Sequence, residues 1–258
     1  MSTYYYKPQP RSLNKDEVIV SEIHDILEQI AESGYRPVTT ILKRAQIINH
    51  KRVHRIMHEN GLLCRKHKRF QPGTTDSRHR YQKYPDIAND FVTTDINQVI
   101  VGDVTAYDVR GKDHYLAALM DRHNREIIGR AVSDKNDTAL VLAALEDAHY
   151  NRPDLRNCIH HTDADVRYCS DDYIARLNDL GMRISMCVGN AYGNAHAESL
   201  NKTIKTQEIN ISDYEKKEES AKSIFRYVDT YNSFRPHSSL GGMTPVAFRM
   251  ALKMKTKV

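Results

Sequence analysis

Three acidic residues stand where a carboxylate carries a cost. Asp103 interrupts an apolar, β-branched stretch from Val99 to Val109. Asp163 closes a second such stretch, after Cys158-Ile159-His160-His161-Thr162. Glu198 lies near the start of a helical pattern that runs from about Ala195 to Ile209. A carboxylate inside an apolar strand pays a desolvation cost, which is tolerable when it is hydrogen-bonded or binds a cation. Three such groups suit Mg²⁺ or Mn²⁺, hard ions that prefer oxygen ligands. Two of these ions about 3.5–4 Å apart activate a nucleophile and stabilise the leaving oxygen in phosphodiester cleavage. Lys202 and Lys205 follow Glu198 by four and seven residues, so they share its helix face and are placed to hold a phosphate. Each acid alone reads equally well as a cap, a turn or a surface residue; the trio on these elements points to metal-dependent phosphoryl chemistry.

The elements that must position the acids follow from pattern. Val99 to Val109, His114 to Met120 and Glu126 to Val132 read as three strands joined by short turns, an antiparallel meander. Asn136 to His149 reads as a helix with an apolar stripe of Leu140, Ala143, Ala144 and Ala148. Asn157 to Thr162 is a strand, Ser170 to Leu180 a helix and Met182 to Met186 a strand. A loop from Val188 to Asn194 then leads into the helix that carries Glu198. This order predicts an α/β mixed sheet of the ribonuclease-H type, with the first and fourth strands as neighbours and the Glu198 helix across their edge, so that the three acids converge.

The front of the chain has a different character. Residues 1–80 hold 15 Lys/Arg and 8 Asp/Glu, a net of +7, against +5 for all 258 residues and therefore −2 for the remainder. Ile19, Ile23, Ile26, Leu27 and Ile30 give a helix over about Asp16 to Glu32. A second helix is expected over Val38 to Ala45, and a third from His50 to Asn60, with Asn49 as its N-cap. Val53, Ile56 and Met57 share the buried side of the third helix, while Lys51, Arg52 and Arg55 lie on the other. This is the pattern of a helix-turn-helix whose last helix enters a major groove. Nine Lys/Arg and a single acid, Glu59, fall between Lys43 and Arg69, so Arg65, Lys66, Lys68 and Arg69 join the expected DNA-contacting set.

The expected organisation is a tail over 1–15, a helix-turn-helix-like domain over 16–64, a basic and polar linker over 65–95, a catalytic core over 96–210 and a helical extension over 211–258. Composition excludes a membrane span, since the longest apolar run, Ala139 to Leu145, is far too short. The start of the chain has no apolar signal-peptide core. Cys64, Cys158, Cys169 and Cys187 are scattered without a C-x-x-C pair, as in proteins of a reducing compartment.

Particular blocks carry a family resemblance. They are Tyr4-Tyr5-Tyr6-Lys7-Pro8, Asn49-His50-Lys51-Arg52-Val53, Val101-Gly102-Asp103-Val104-Thr105, His161-Thr162-Asp163, the run from Gly189 to Ser199, and Tyr231-Asn232-Ser233-Phe234-Arg235-Pro236-His237 with Thr244-Pro245. In this order they resemble the integrase-core (DDE) transposases of the IS-three insertion-sequence family, in particular the second-reading-frame protein, over nearly the whole chain. The resemblance implies a fold of the retroviral integrase superfamily. It also implies metal-dependent DNA strand cleavage and strand transfer, with Asp103, Asp163 and Glu198 as catalytic triad and metal ligands, and two Mg²⁺ or Mn²⁺ ions. The implied partners are double-stranded DNA at element ends and target, further copies of the chain on DNA, and an upstream-frame helix-turn-helix partner or fusion. The implied location is the bacterial cytoplasm, with the nucleoid.

Some positions depart from the family. Ile100 stands near a usual Trp, Ala164-Asp165 where Arg-Gly is usual, and Gly193 where Asp is usual. The 34 residues between Asp163 and Glu198 are one fewer than common. An inactive DNA-binding remnant or regulator, and a ribonuclease-H-like nuclease that cleaves without joining, are the competing readings.

Overall fold

A computed structural model describes residues 13–65, 79–188 and 193–255. The chain divides into two compact units, residues 1–65 and 66–258.

The first unit is helical: α1 (Leu13–Gln29), α2 (Tyr35–Leu42) and α3 (His50–Glu59). Ile19, Ile23, Ile26, Ile30, Val38, Leu42, Val53, Ile56 and Met57 are buried together, as the 3.6-residue spacing of each stripe requires. Asn49 caps α3, its side chain accepting from the Lys51 backbone N–H at 2.9 Å. Helix α2 begins three residues earlier than its apolar pattern suggests, because Pro37 lies in its first turn, where a missing N–H breaks no helical bond. Asp16 on α1 draws in the basic side of α3. It accepts from Arg52 Nη2 at 2.5 Å and from Arg55 Nη2 at 2.8 Å, and Arg55 Nη1 reaches Glu59 at 2.6 Å.

The second unit is a five-stranded mixed sheet with helices on both faces. The strands are β1 (Val99–Val109), β2 (Lys112–Asp121), β3 (Ile127–Ser133), β4 (Ile159–Asp163) and β5 (Arg183–Cys187), in the order β3-β2-β1-β4-β5. The first three form the expected antiparallel meander, and β1–β4 and β4–β5 pair parallel. The helices are α4 (Thr138–Asn151), α5 (Asp171–Asp179), α6 (Ala195–Gln207), α7 (Lys217–Ser233) and α8 (Pro245–Lys255).

Strand alternation sorts the core into two layers. Ile100, Val104, Ala117, Leu119 and Ile128 pack with Leu140, Val141, Ala144 and Leu145 of α4 and with Tyr173 and Leu177 of α5. Val99, Val101, Tyr107, Leu116, Ala118 and Met120 pack with Ala197, Leu200 and Ile204 of α6 and with Ile224, Tyr227, Val228 and Tyr231 of α7. At Gly129 the backbone of β3 lies so close to α4 that a Cβ would stand 2.3 Å from the Ala144 carbonyl oxygen and 2.7 Å from the Ala148 Cβ. Only glycine permits that approach.

The helical extension expected over 211–258 contributes α7 to the second core layer. The part of the expected linker that is described, 79–95, is built into the same unit. Ala88 is fully buried, Ile87 and Phe91 pack on the core, and Arg122 donates to the Ala88 carbonyl at 2.7 Å and to the Phe91 carbonyl. Polar composition hid a few apolar anchors whose partners are distant in sequence.

Candidate active site

The β1–β4 register creates the centre of the site. Val99 aligns with Ile159, Ile100 with His160 and Val101 with His161. Asp103 and Asp163 each lie two residues beyond the last of these pairs, and the charge of Asp163 reaches Asp103. Side chains alternate across a strand, so both acids share the sheet face of Val101, which α6 covers.

Asp103 is enclosed. Its Oδ1 accepts from the Val104 N–H at 2.8 Å and its Oδ2 from Asn201 Nδ2 on α6 at 2.9 Å. Burial, and secondly the charge of Asp163, push its carboxyl up to about 7 against the relief those two donors and the Arg167 charge give. Two carboxylates so placed are held in a site that favours an added cation.

Helix α6 brings in the third acid. Its N-cap residue Asn194 donates from Nδ2 to the Gly102 carbonyl at 2.9 Å, and Asn201 reaches Asp103. Glu198 lies four residues after the first anchor and three before the second, on the same helix face. It is exposed, and among the described residues no three His, Cys, Asp or Glu side chains form a metal-ready cluster. The charge of Asp163 reaches Asp103, while Glu198 stands on the helix that anchors to Gly102 and Asp103.

Around the acids, two polar arrangements fix the backbone. His161, two residues before Asp163, bonds Ser185 Oγ at 2.9 Å through Nδ1 and the Gly193 carbonyl at 3.0 Å through Nε2. It therefore ties the start of α6 to β4. Arg167 and Asp165, both buried, pair with each other, and Arg167 also donates to Asn136. His160 faces the other layer, where Tyr173 Oη meets its Nε2 at 2.8 Å and burial depresses its pKa to about 3.

The expected DNA-contacting residues divide. Lys202 is exposed on α6. Lys205 is half-buried, and burial pulls its pKa down while Asp103 opposes that shift. In the first unit Lys51 is exposed on α3, whereas Arg52 and Arg55 are engaged by Asp16. The Arg65 side chain is exposed and its backbone N–H donates to Glu32. Lys66, Lys68 and Arg69 lie outside the described residues. Spacing did not single out Asn194, Asn201, Arg167 or Ser185. For Asn201 a signal existed, an amide one helical turn beyond Glu198 on the same face.

A mixed sheet in this order, with an acid on each of its two central parallel strands, defines the integrase-core class. The description Integrase core domain fits residues 94–190 and again 180–245, and HTH-like domain fits residues 14–70. The likeness extends to whole proteins. The transposase for insertion sequence element IS904 of Lactococcus lactis is 32% identical over 90% of this chain and 93% of its own length. Transposase InsF for insertion sequence IS3A of Escherichia coli is 31% identical over 78% of this chain and 70% of its own. The chain belongs to the IS3 family of insertion-sequence transposases. Among solved structures, the intasome of simian T-cell lymphotropic virus with a PP2A regulatory subunit shares the fold, with a TM-score of 0.50 and 13% identity, over 84% of this chain and 70% of that one. The HTLV-2 integrase catalytic core in complex with magnesium gives a TM-score of 0.48 at 16% identity, over 59% of this chain and 96% of that one. Among the described residues no helix is long and apolar enough to cross a membrane.

Proposed function

We propose that this chain catalyses divalent-metal-dependent DNA strand cleavage and strand transfer during transposition of its element. The observation that carries the reading is the Asp103–Asp163 pair, at equivalent positions just beyond the paired residues of neighbouring parallel strands and in electrostatic reach of each other, with Asp103 held by an amide from the helix that bears Glu198. Asp103, Asp163 and Glu198 are the residues that would hold Mg²⁺ or Mn²⁺. Their donor set is all carboxylate oxygen, and the upward push that burial and the Asp163 charge give the Asp103 carboxyl fits a cationic occupant. When bound, the metal supplies charge stabilisation at phosphorus and an activated oxygen nucleophile.

The protein's own groups do the rest. Asn201 orients the Asp103 carboxylate, Asn194 and His161 fix the entry of α6, and Lys202 and Lys205, four and seven residues beyond Glu198, would supply positive charge to the phosphate. Water first displaces the 3′ oxygen at an element end, leaving a 3′ hydroxyl. That hydroxyl then displaces a 3′ oxygen in the target strand. Both are in-line displacements at phosphorus, so one site serves both. The helical unit presents Lys51, and Arg65 at its end, to duplex DNA, copies of the chain assemble on the two ends, and the protein works in the cytoplasm at the nucleoid.

Incubation of purified protein with end-containing DNA, a target plasmid and Mg²⁺ or Mn²⁺ tests the reading. Nicked ends and joined products are expected, and both disappear in Asp103→Asn, Asp163→Asn and Glu198→Gln. Wild-type activity in all three variants overturns the triad. Nicking without joining selects a nuclease, and DNA binding without either reaction selects a remnant or regulator.

A further inference from the structure

Arg125 and Arg235, like Arg122 on the Ala88 and Phe91 carbonyls, differ from the partly buried arginines of their unit that end on carboxylates, and unlike Arg122 they are held by side chains. Arg130 ends on Asp229, Arg152 and Arg249 end on Glu126, and Arg167 ends on Asp165. Arg125 instead meets His196 Nδ1 at 2.7 Å. Arg235 meets Gln207 Oε1 at 3.0 Å and His237 Nε2 at 3.3 Å, with its guanidinium 5.5 Å from the centre of the Tyr231 ring. Neither forms an ion pair with a carboxylate among the described residues.

Both positions are built rather than incidental. Arg125 has φ +62°, a left-handed backbone uncommon outside glycine. The β2–β3 turn holds it there through the Asp121 carbonyl, which accepts from the Arg125 N–H at 2.8 Å, and through buried Asn124, whose amide bonds Glu126 at 2.8 Å. Arg235 follows α7, and the His237 ring packs edge-on to Tyr231 at 4.9 Å. The two arginines also sense a common neighbourhood. Burial first, then the charges of Arg235 and Arg125, hold His237 at about 3. The carboxylate whose charge reaches Arg125 is that of Asp121, and it is already engaged by the Asn97 and His123 N–H groups.

On α6, His196 and Gln207 lie on one stripe, eleven residues or about 16 Å apart. That length matches a run of phosphates on one DNA strand. Guanidinium groups held by neutral acceptors keep N–H donors in the fork geometry that phosphate oxygens take.

We infer that Arg125 and Arg235, supported by His196, Gln207, His237 and Tyr231, form a phosphate-binding track for the DNA backbone along α6. This assignment rests on the transposase reading for its choice of ligand. It places backbone contacts in the second unit, beyond the acids and beside Lys202 and Lys205.

The test uses the full chain and a fluorescent duplex of arbitrary sequence. Arg125→Gln and Arg235→Gln each reduce the slope of log affinity against log salt by about 0.9, and the double variant by about twice that. Unchanged slopes overturn the track. Where a substitution impairs folding, the wild-type protein decides by arginine-selective dicarbonyl labelling read by mass spectrometry. Duplex protects Arg125 and Arg235 and leaves exposed Arg110 reactive; reactivity of both unaffected by duplex overturns the proposal. A wild-type protein that nicks no DNA counts against the transposase reading alone, because slope and protection are measured without metal.

Discussion

Where α4 and α5 cover the sheet, the side chains are apolar almost throughout, with the His160–Tyr173 bond set among them. Where α6 and α7 cover it, the packing is threaded with polar groups. Asp103 meets Asn201, His161 meets Ser185 and Gly193, Tyr107 meets Ser220, and Tyr227 meets Gln207. The same five strands supply both faces. The first face holds the fold by shape, down to a glycine where a helix touches a strand. The second accepts desolvated polar and charged groups, which is the usual mark of a site kept for chemistry at some cost in stability.

Substitution at Asp103 tests this contrast most strongly. Asp103→Asn removes a proposed metal ligand and leaves an amide of the same shape. Strand cleavage falls by about 10³-fold or more, as loss of several kcal/mol of transition-state stabilisation requires. Thermal stability holds or rises, because the neutral side chain no longer opposes Asp163 inside the protein. Parallel nicking assays and calorimetric melting check the pair of outcomes. A melting temperature several degrees lower would make Asp103 a structural residue and erase the distinction between the faces.

The opposite face answers to a different substitution. Gly129→Ala forces a methyl group against the Ala144 carbonyl and the Ala148 side chain, where backbone must move. Overpacking of this kind costs about 1–3 kcal/mol, and in a unit of this size each kcal/mol lowers the midpoint by about 2–4 °C. DNA affinity at fixed salt stays unchanged. Denaturant titration with a duplex-binding control checks both, and an unaltered midpoint would mean that α4 is free to shift outward.

Hydrogen bonds within the polar layer make smaller contributions. Tyr227→Phe removes the hydroxyl that donates to Gln207 Oε1 at 2.7 Å, while Arg235 still donates to the same oxygen at 3.0 Å. The acceptor is not orphaned, so the cost is about 1 kcal/mol. A loss of twice that or more, by denaturant titration, would show that the polar layer carries as much of the fold as the apolar one.

Much of this architecture is legible in sequence, and the failures have a common cause. Strand β1 falls at Val99–Val109 as its β-branched run predicts, and Asn49 caps α3 as its side chain allows. Asp103 and Asp163 are visible because a carboxylate contradicts its apolar surroundings. What sequence does not show is direction. Charge density marks the α3 arginines as DNA contacts, yet Asp16, 36 and 39 residues away, turns Arg52 and Arg55 back onto α1. Likewise, Ala88 and Phe91 are too few to mark 79–95 as packed until Arg122 supplies their carbonyls with a donor. Local spacing reports which residues share a face. It does not report which partner, distant in sequence, that face meets.

The smallest expected effect concerns those same arginines, and it extends the contrast beyond the sheet. The hydrogen bond from Arg55, the bonds and charge of Arg52 and the charge of Arg55 together lower the Asp16 carboxyl below its ordinary range, against its desolvation. A depressed folded-state pKa adds stability that is present above the unfolded value and is lost as pH falls through the folded one. The helical unit therefore loses stability as the solution is acidified below about pH 4, and Asp16→Asn removes that dependence. Partly exposed pairs of this kind contribute about 0.2–1 kcal/mol, so the change is read in the α1–α3 amide signals by NMR during acid titration rather than in global melting. If Arg52 and Arg55 instead leave Asp16 to hold phosphate, added duplex raises the Asp16 titration midpoint toward the ordinary carboxylate value, and the helical unit then resembles the open arginines of the α6 face. A midpoint indifferent to duplex keeps these two arginines as structural ties and leaves Lys51 and Arg65 as the contacts of that unit.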